Sequence, residues 1–252
     1  MTELKEILER RITIAARPET VFRFFTDPER FARWWGEGSR IDPRKGGEIA
    51  IRYPDGTRVR GEIVEIDPPR RIVFTYRYAS GVPADGSLVT ILLDAVPEGT
   101  LLQLRHAFSS ARIRDAHVQG WRYQLALFSR AVADEGRPAA VGRIDAWLAA
   151  WGEADAEKRW GLLESCALPG VVFRDAYSAT EGLEDLLANL DAIQHFMPGV
   201  TLGREGDVLF SHGTAIARWT ARRGGDPLSR GAHVYDLSPD GRFARVVGFW
   251  EG

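Results

Sequence analysis

At 252 residues, with 44% hydrophobic and 27% charged side chains, the chain has the composition of an ordinary globular protein. That length has room for one large domain or two of about 100 to 150 residues. Its 33 Lys plus Arg against 35 Asp plus Glu leave a net charge of -2, so there is no cationic surplus to neutralise a run of phosphates and nucleic acid is excluded as an expected partner.

No apolar run approaches the roughly 18 residues of a membrane span. The first residues, MTELKEILERR, are charged throughout and lack a signal-peptide core; a cytoplasmic location without membrane contact is expected. One cysteine, Cys166, cannot form an internal disulfide, and a thiolate metal site would lack its second ligand. No metal or other cofactor is expected.

In chain order, RRITIAA alternates Ile12 and Ile14 with polar neighbours as a half-buried strand does, and Pro18 opens a helix at the first-turn position. Asp27 and Pro28 start a second short helix with Phe31, Trp34 and Trp35 on its apolar face. From Ser39 to Ser109 the pattern is a meander: RKGGEIAIRY, VRGEIVEI, RRIVFTYRY, SLVTILLDAV and TLLQLRHAFS, separated by PDG, DPP, VPADG and PEGT. The stretch from Arg112 to Pro138 then keeps helical time, because Val118, Trp121, Leu125, Phe128 and Val132 alternate steps of three and four residues. Gly136 and Pro138 supply stop signals. Gly120 sits inside this helix at a cost of about 1 kcal/mol relative to Ala, which predicts close backbone packing or a bend.

These segments assemble into an α+β layer in which a curved sheet wraps the last helix. RPETVFRFFTDPERFARWW, IDPRKGGEI, GEIVEIDPPRRIVFTY and GWRYQLALF together resemble the START-like helix-grip superfamily, in its branch homologous to activators of the heat-shock chaperone ATPase. The resemblance spans roughly residues 10 to 135. It implies a cavity between sheet and helix for a small apolar or amphipathic molecule, and it also allows chaperone contact. Trp34, Trp35, Tyr76, His106, Trp121 and Phe128 have the residue types of such a pocket, and equally those of a core. His106 shares a strand face with Leu102 and Leu104, the setting of a satisfied buried histidine. His117 has a weaker claim.

After Pro138 helices come first and sheet follows, which predicts two domains, 1–136 and 137–252. AVGRIDAWLAAWGEADAEKRWGLLESCA reads as two helices broken near Gly152, VVFRDAYS as a strand, and GLEDLLANLDAIQHFM as a third helix. VTLGREG, DVLFSHGTAIARWTARR, SRGAHVYDLS and FARVVGFW read as antiparallel strands. VVFRDAYS, GTAIARWTA and HVYDLSPDGRFARVVGFW resemble the nuclear transport factor 2-like (SnoaL-like) superfamily, a cone-shaped α+β fold that includes polyketide cyclases and ketosteroid isomerases. That fold serves enzymes and binding modules alike.

Carried over from the ketosteroid isomerase pattern, the general base falls on Asp175 and the oxyanion-facing acid position on His233, whose imidazole can also donate a hydrogen bond. The pattern's helix tyrosine falls at Trp147 or its neighbourhood, so its phenol is missing and only an indole donor remains. A carboxylate in an apolar cone suits proton abstraction beside a carbonyl, whereas an Asp at this place also serves simply to hold the following turn. Tyr177, His195, Trp219 and Trp250 are further candidate walls, and Asp236 is expected to point outward. The expected activity is binding of a small apolar or aromatic metabolite, with cofactor-independent isomerase, cyclase or hydratase chemistry in the second domain. The alternative is a non-enzymatic chaperone-associated or regulatory adaptor. The fold resemblance also allows a homodimer.

Overall fold

The computed structural model describes residues 3–80 and 86–251; the VPADG turn lies almost wholly outside them. Chain contacts separate into two compact units, Met1–Ala133 and Asp134–Gly252.

The first unit runs β1 (Glu6–Ile14), α1 (Pro18–Arg23), α2 (Pro28–Trp35), β2 (Arg40–Ile41), β3 (Glu48–Arg52), β4 (Arg58–Asp67), β5 (Arg71–Tyr78), β6 (Ser87–Val96), β7 (Gly99–Phe108) and α3 (Ala111–Glu135). Both short helices start with proline at the first turn, where its missing N–H costs nothing. Asp27 caps α2 by accepting the Arg30 N–H at 3.0 Å. The strands form one antiparallel sheet in the order β1-β7-β6-β5-β4-β3-β2. Its inward residues, among them Ile63, Phe74, Ile91, Leu104 and Phe108, join Trp121, Leu125, Phe128 and Val132 of α3 in one core. Gln124 is the buried polar member of the helix face, its amide donating to the Trp34 carbonyl.

The stop signals after α3 act differently from expectation. Gly136 is right-handed at φ -80°, and Pro138 lies in the first turn of α4 (Arg137–Ala150). A proline tolerated at a helix start therefore marks the next helix as much as the end of the last. Around α5 (Ala156–Cys166) the buried Arg159 ties three segments together, donating to the Glu153 and Ala154 carbonyls and pairing with Asp191. Cys166 is buried, and burial pushes its thiol up to about 12.

The second unit continues with β8 (Ala167–Arg174), β9 (Ala179–Glu181), α6 (Leu183–Phe196), β10 (Val200–Ser211), β11 (Thr214–Arg223), β12 (Asp226–Leu237) and β13 (Phe243–Glu251). The sheet order is β10-β11-β12-β13-β8-β9, antiparallel except where β8 runs parallel to β13. The expected single strand DVLFSHGTAIARWTARR is a hairpin instead, turned at His212 and Gly213, both at positive φ. The outward half-buried Asp236 accepts from Thr214 across the strands at 3.0 Å.

Phe128 is fully buried, stacked on Phe25 at 4.7 Å and edge-on to Phe24 and Trp34. Phe128→Ala is expected to destabilise the first unit by about 3–5 kcal/mol, the cost of a large aromatic cavity, read from the shift of its denaturant-unfolding transition.

Candidate functional site

Each unit encloses its own cavity. That of the first unit measures about 480 Å³ and lies between α2, the β3–β4 turn, β5 and α3. Trp34, Trp35, Tyr76 and Trp121 line it, together with Tyr53, Tyr78, His117, Gly120 and Gln124. The Tyr53 and Tyr76 hydroxyls are hydrogen-bonded to each other at 2.8 Å, and burial raises both phenol pKa values.

His106 lies behind this wall and is fully buried. The Trp121 indole N–H donates to its Nδ1 at 2.9 Å, which leaves the proton of a neutral ring on Nε2, 2.7 Å from Ser87 Oγ. Ser87 in turn donates to the Tyr76 carbonyl at 2.9 Å. Burial, aided by nearby His117, holds the His106 pKa well below its ordinary value. The ring is a fully satisfied neutral bridge that orients Trp121. His117 has the opposite tautomer: Nδ1 donates to the Ile113 carbonyl at 2.7 Å, so Nε2 accepts from Tyr78 at 3.2 Å. Phe128 does not reach the cavity; it belongs to the core beneath it.

The second cavity, about 420 Å³, is lined by Trp151, Asp175, Tyr177, Asn189, Ile193, Leu202, Trp219, His233 and Trp250, among others. Trp147 lies one helical turn deeper than Trp151, in the core against Phe173, Tyr235 and Phe243. His195 is exposed against Phe196 and stays outside. The cause is helical phase: Asn189 and Ile193, four residues apart, share the inward stripe of α6, and His195, two residues further on, points away. Tyr177 is 80% exposed and packs edge-on against Trp250, 5.2 Å between ring centres.

Asp175 and His233 line the same cavity because three strands lie side by side. His233 pairs with Gly248 across β12 and β13, while Arg174 pairs with Val247, so Asp175 follows alongside Gly248. A side chain at Gly248 would stand between them: its Cβ would lie 2.9 Å from Asp175 Cβ and 3.2 Å from His233 Nε2. Gly248 is thus a member of the site that residue chemistry alone does not reveal. Its only sequence signal is an interior strand glycine, a mark of close approach. Gly248→Ala is expected to force these groups apart and cost about 1–3 kcal/mol of second-unit stability, measurable by denaturant unfolding.

The Asp175 carboxylate both holds a turn and faces the cavity. Oδ1 accepts the Tyr177 and Ser178 N–H groups at 2.8 and 2.7 Å, and Oδ2 accepts the Trp250 indole N–H at 3.1 Å. With about two lone pairs on each oxygen, Oδ2 retains acceptor capacity. His233 Nδ1 lies 3.3 Å from the buried Tyr235 hydroxyl, two residues along the same strand face. A phenol is therefore present after all, supplied by β12 behind the imidazole rather than by a helix. Among the described residues the hydroxyl has no other hydrogen-bond partner, so donation to Nδ1 satisfies it and leaves the ring proton on Nε2. Nε2 itself makes no hydrogen bond among the described residues, nor do the indole N–H groups of Trp151 and Trp219.

Burial pushes the His233 pKa from 6.5 down to about 3. The unfolded chain takes up this proton near pH 6.5 and the folded chain only near 3, so the unfolded state binds more protons between those values and stability falls as pH falls. His233→Gln is expected to flatten the pH dependence of second-unit stability by up to about 1.4 kcal/mol per pH unit across this window, as checked by denaturation midpoints at pH 7, 5.5 and 4.

A seven-stranded antiparallel sheet gripping one long helix, followed by a six-stranded mixed sheet closed by three helices, defines a two-part α+β protein of START-like and nuclear transport factor 2-like architecture. Residues 15–133 match the family model described as Activator of Hsp90 ATPase homolog 1-like protein. Similar solved structures include a SnoaL-like family member from Agrobacterium tumefaciens, with 26% identity, 45% of this chain and 97% of that one covered, and TM-score 0.43. CalU16 from Micromonospora echinospora shares 30% identity over 49% of this chain and 70% of its own, with TM-score 0.41. An HSP90 activator from Plasmodium falciparum shares 29% identity over 40% and 71%, with TM-score 0.36. No curated protein matches the chain. Among the described residues no helix is long and apolar enough to cross a membrane, and no group of three or more His, Cys, Asp and Glu is placed to hold a metal ion.

Proposed function

We propose that this is a two-domain small-molecule protein, divided at residues 136 and 137, whose first cavity binds an apolar or aromatic metabolite and whose second performs acid–base chemistry on a carbonyl compound of the same kind. The observation that carries the second part is the approach of Asp175 and His233 to one another across Gly248 in a single aromatic cavity. Asp175 Oδ2 takes a proton from the carbon next to the carbonyl. The electron pair of that C–H bond moves to the carbonyl oxygen, and the neutral His233 Nε2–H donates a hydrogen bond to the developing oxyanion. Return of the proton to another carbon completes an isomerisation; attack of the enolate carbon on a second carbonyl of the same molecule completes an aldol-type cyclisation. An imidazole held neutral donates without first surrendering a charge.

The test is proton exchange in D2O with the cyclic aromatic ketone 2-tetralone, followed by proton NMR. The protein is expected to speed deuterium incorporation beside the carbonyl above the buffer rate, and Asp175→Asn to reduce that acceleration by about 100-fold or more, the usual worth of a positioned base. Exchange no faster than buffer, or undiminished in Asp175→Asn, overturns the chemistry.

A further inference from the structure

Gly120 lies in the middle of α3 with no structural reason to be glycine. Its φ is not in the left-handed region, and a Cβ built on it would meet no atom within 4 Å. The close backbone approach that ordinarily justifies an interior helix glycine is absent. Gly120 instead lines the first cavity while remaining exposed to solvent.

Exposed lining residues mark where a cavity opens. Here they are Ala116, Gly120 and Tyr123 on α3 and Arg33 on α2, with Pro54 and Asp55 of the β3–β4 turn, whereas Trp35, Tyr76 and Trp121 form the buried floor. Ala116 and Gly120, the two smallest, stand one helical turn apart on the same stripe. The Trp35 indole N–H, in a residue only 2% exposed, has no hydrogen-bond partner among the described residues.

We propose that Gly120 is the port of the first cavity and limits the size of its ligand, a planar aromatic molecule. This rests on the reading that the first cavity binds a small apolar or aromatic molecule. A leucine at Gly120 has room on the helix surface and better helix propensity, so it closes the port without unfolding the chain.

The experiment uses the full chain labelled with 5-fluorotryptophan. The 19F resonances of Trp35 and Trp121 report the first cavity and those of Trp219 and Trp250 the second, each assigned by single Trp→Phe substitution. Titration with 2-acetylnaphthalene is expected to shift the Trp35 and Trp121 signals. Gly120→Leu is expected to weaken the response at Trp35 and Trp121 at least tenfold while leaving any response at Trp219 and Trp250 unchanged. Gly120→Ala is expected to raise the melting temperature, confirming that the glycine is not needed for the fold. Wild-type affinity retained in Gly120→Leu overturns the port. If the probe does not move Trp35 or Trp121 in the wild type, the underlying reading of the first cavity fails as well.

Discussion

The hydrogen bond from the Trp121 indole to His106 is the fixed point of the first unit. It joins the middle of α3 to β7 at 2.9 Å, and the Gln124 amide makes a second bond one turn later, to the end of α2. Helix burial through an apolar stripe alone is tolerant, since a helix can roll or slide over a greasy sheet at small cost. Two directional bonds in the interior remove that freedom, because breaking either one strands a buried polar group at roughly 1–3 kcal/mol. What they hold is a gap as much as a contact. With α3 pinned at Trp121 and Gln124, the neighbouring stripe of Ala116, Gly120 and Tyr123 is kept facing the β3–β4 turn, and the cavity persists between them.

The polar atoms are arranged differently in the two interiors. Around the first cavity the donors are largely closed upon protein acceptors: Trp34 on the Phe24 carbonyl, Trp121 on His106 and Tyr78 on His117, while the Tyr53 and Tyr76 hydroxyls share one hydrogen bond. Such a wall recognises mainly shape and aromatic surface. Around the second cavity the Trp151 and Trp219 indoles and the outer nitrogen of His233 are left unbonded by the described residues, while the Asp175 carboxylate is held by three N–H groups. Unpaired donors beside a fixed acceptor are the polarity a reacting carbonyl compound would complement.

Much of the fold was legible in the chain because it follows local periodicity. The five-strand meander, the long helix and the helix-before-sheet order of the second half all rest on spacing and turn residues. The errors arose where one residue type serves two ends. Pro138 ends a helix pattern or begins one, and only the chain geometry decides; the His212–Gly213 turn is hidden inside an apparently continuous strand. The site was legible by type and not by depth. Asp175 and His233 reach one cavity, but Trp147, at the position of the missing phenol, is packed a turn below it, and His195 misses it through a phase of about 100° per residue that the amphipathic pattern near a helix end defines poorly. Gly120 and Gly248, which contribute by what they lack, give almost no signal in a single sequence.

In the proposed reaction a histidine rather than a protonated acid donates to the oxyanion, and this changes how the site is kept ready. A carboxylic acid that must donate a hydrogen bond has to be held protonated, which requires burial strong enough to lift its pKa past neutrality. Burial acts on histidine in the opposite sense: it lowers the pKa to about 3, so the ring is already in the neutral, donating form over the whole physiological range. The same desolvation that would have to be overcome to place a charge there is what keeps this donor available. Its tautomer is set from behind by the Tyr235 hydroxyl, two residues along the same strand, a spacing that any register of β12 preserves. The pair thus needs only that β8, β13 and β12 stay in register, with glycine in the middle strand. That register is fixed by the Phe173, Tyr235, Phe243 and Val246 core beneath, which joins the inner faces of those three strands. Packing of the second unit and the approach of Asp175 to His233 are consequently one constraint, and a substitution that disturbs the core must also move that pair.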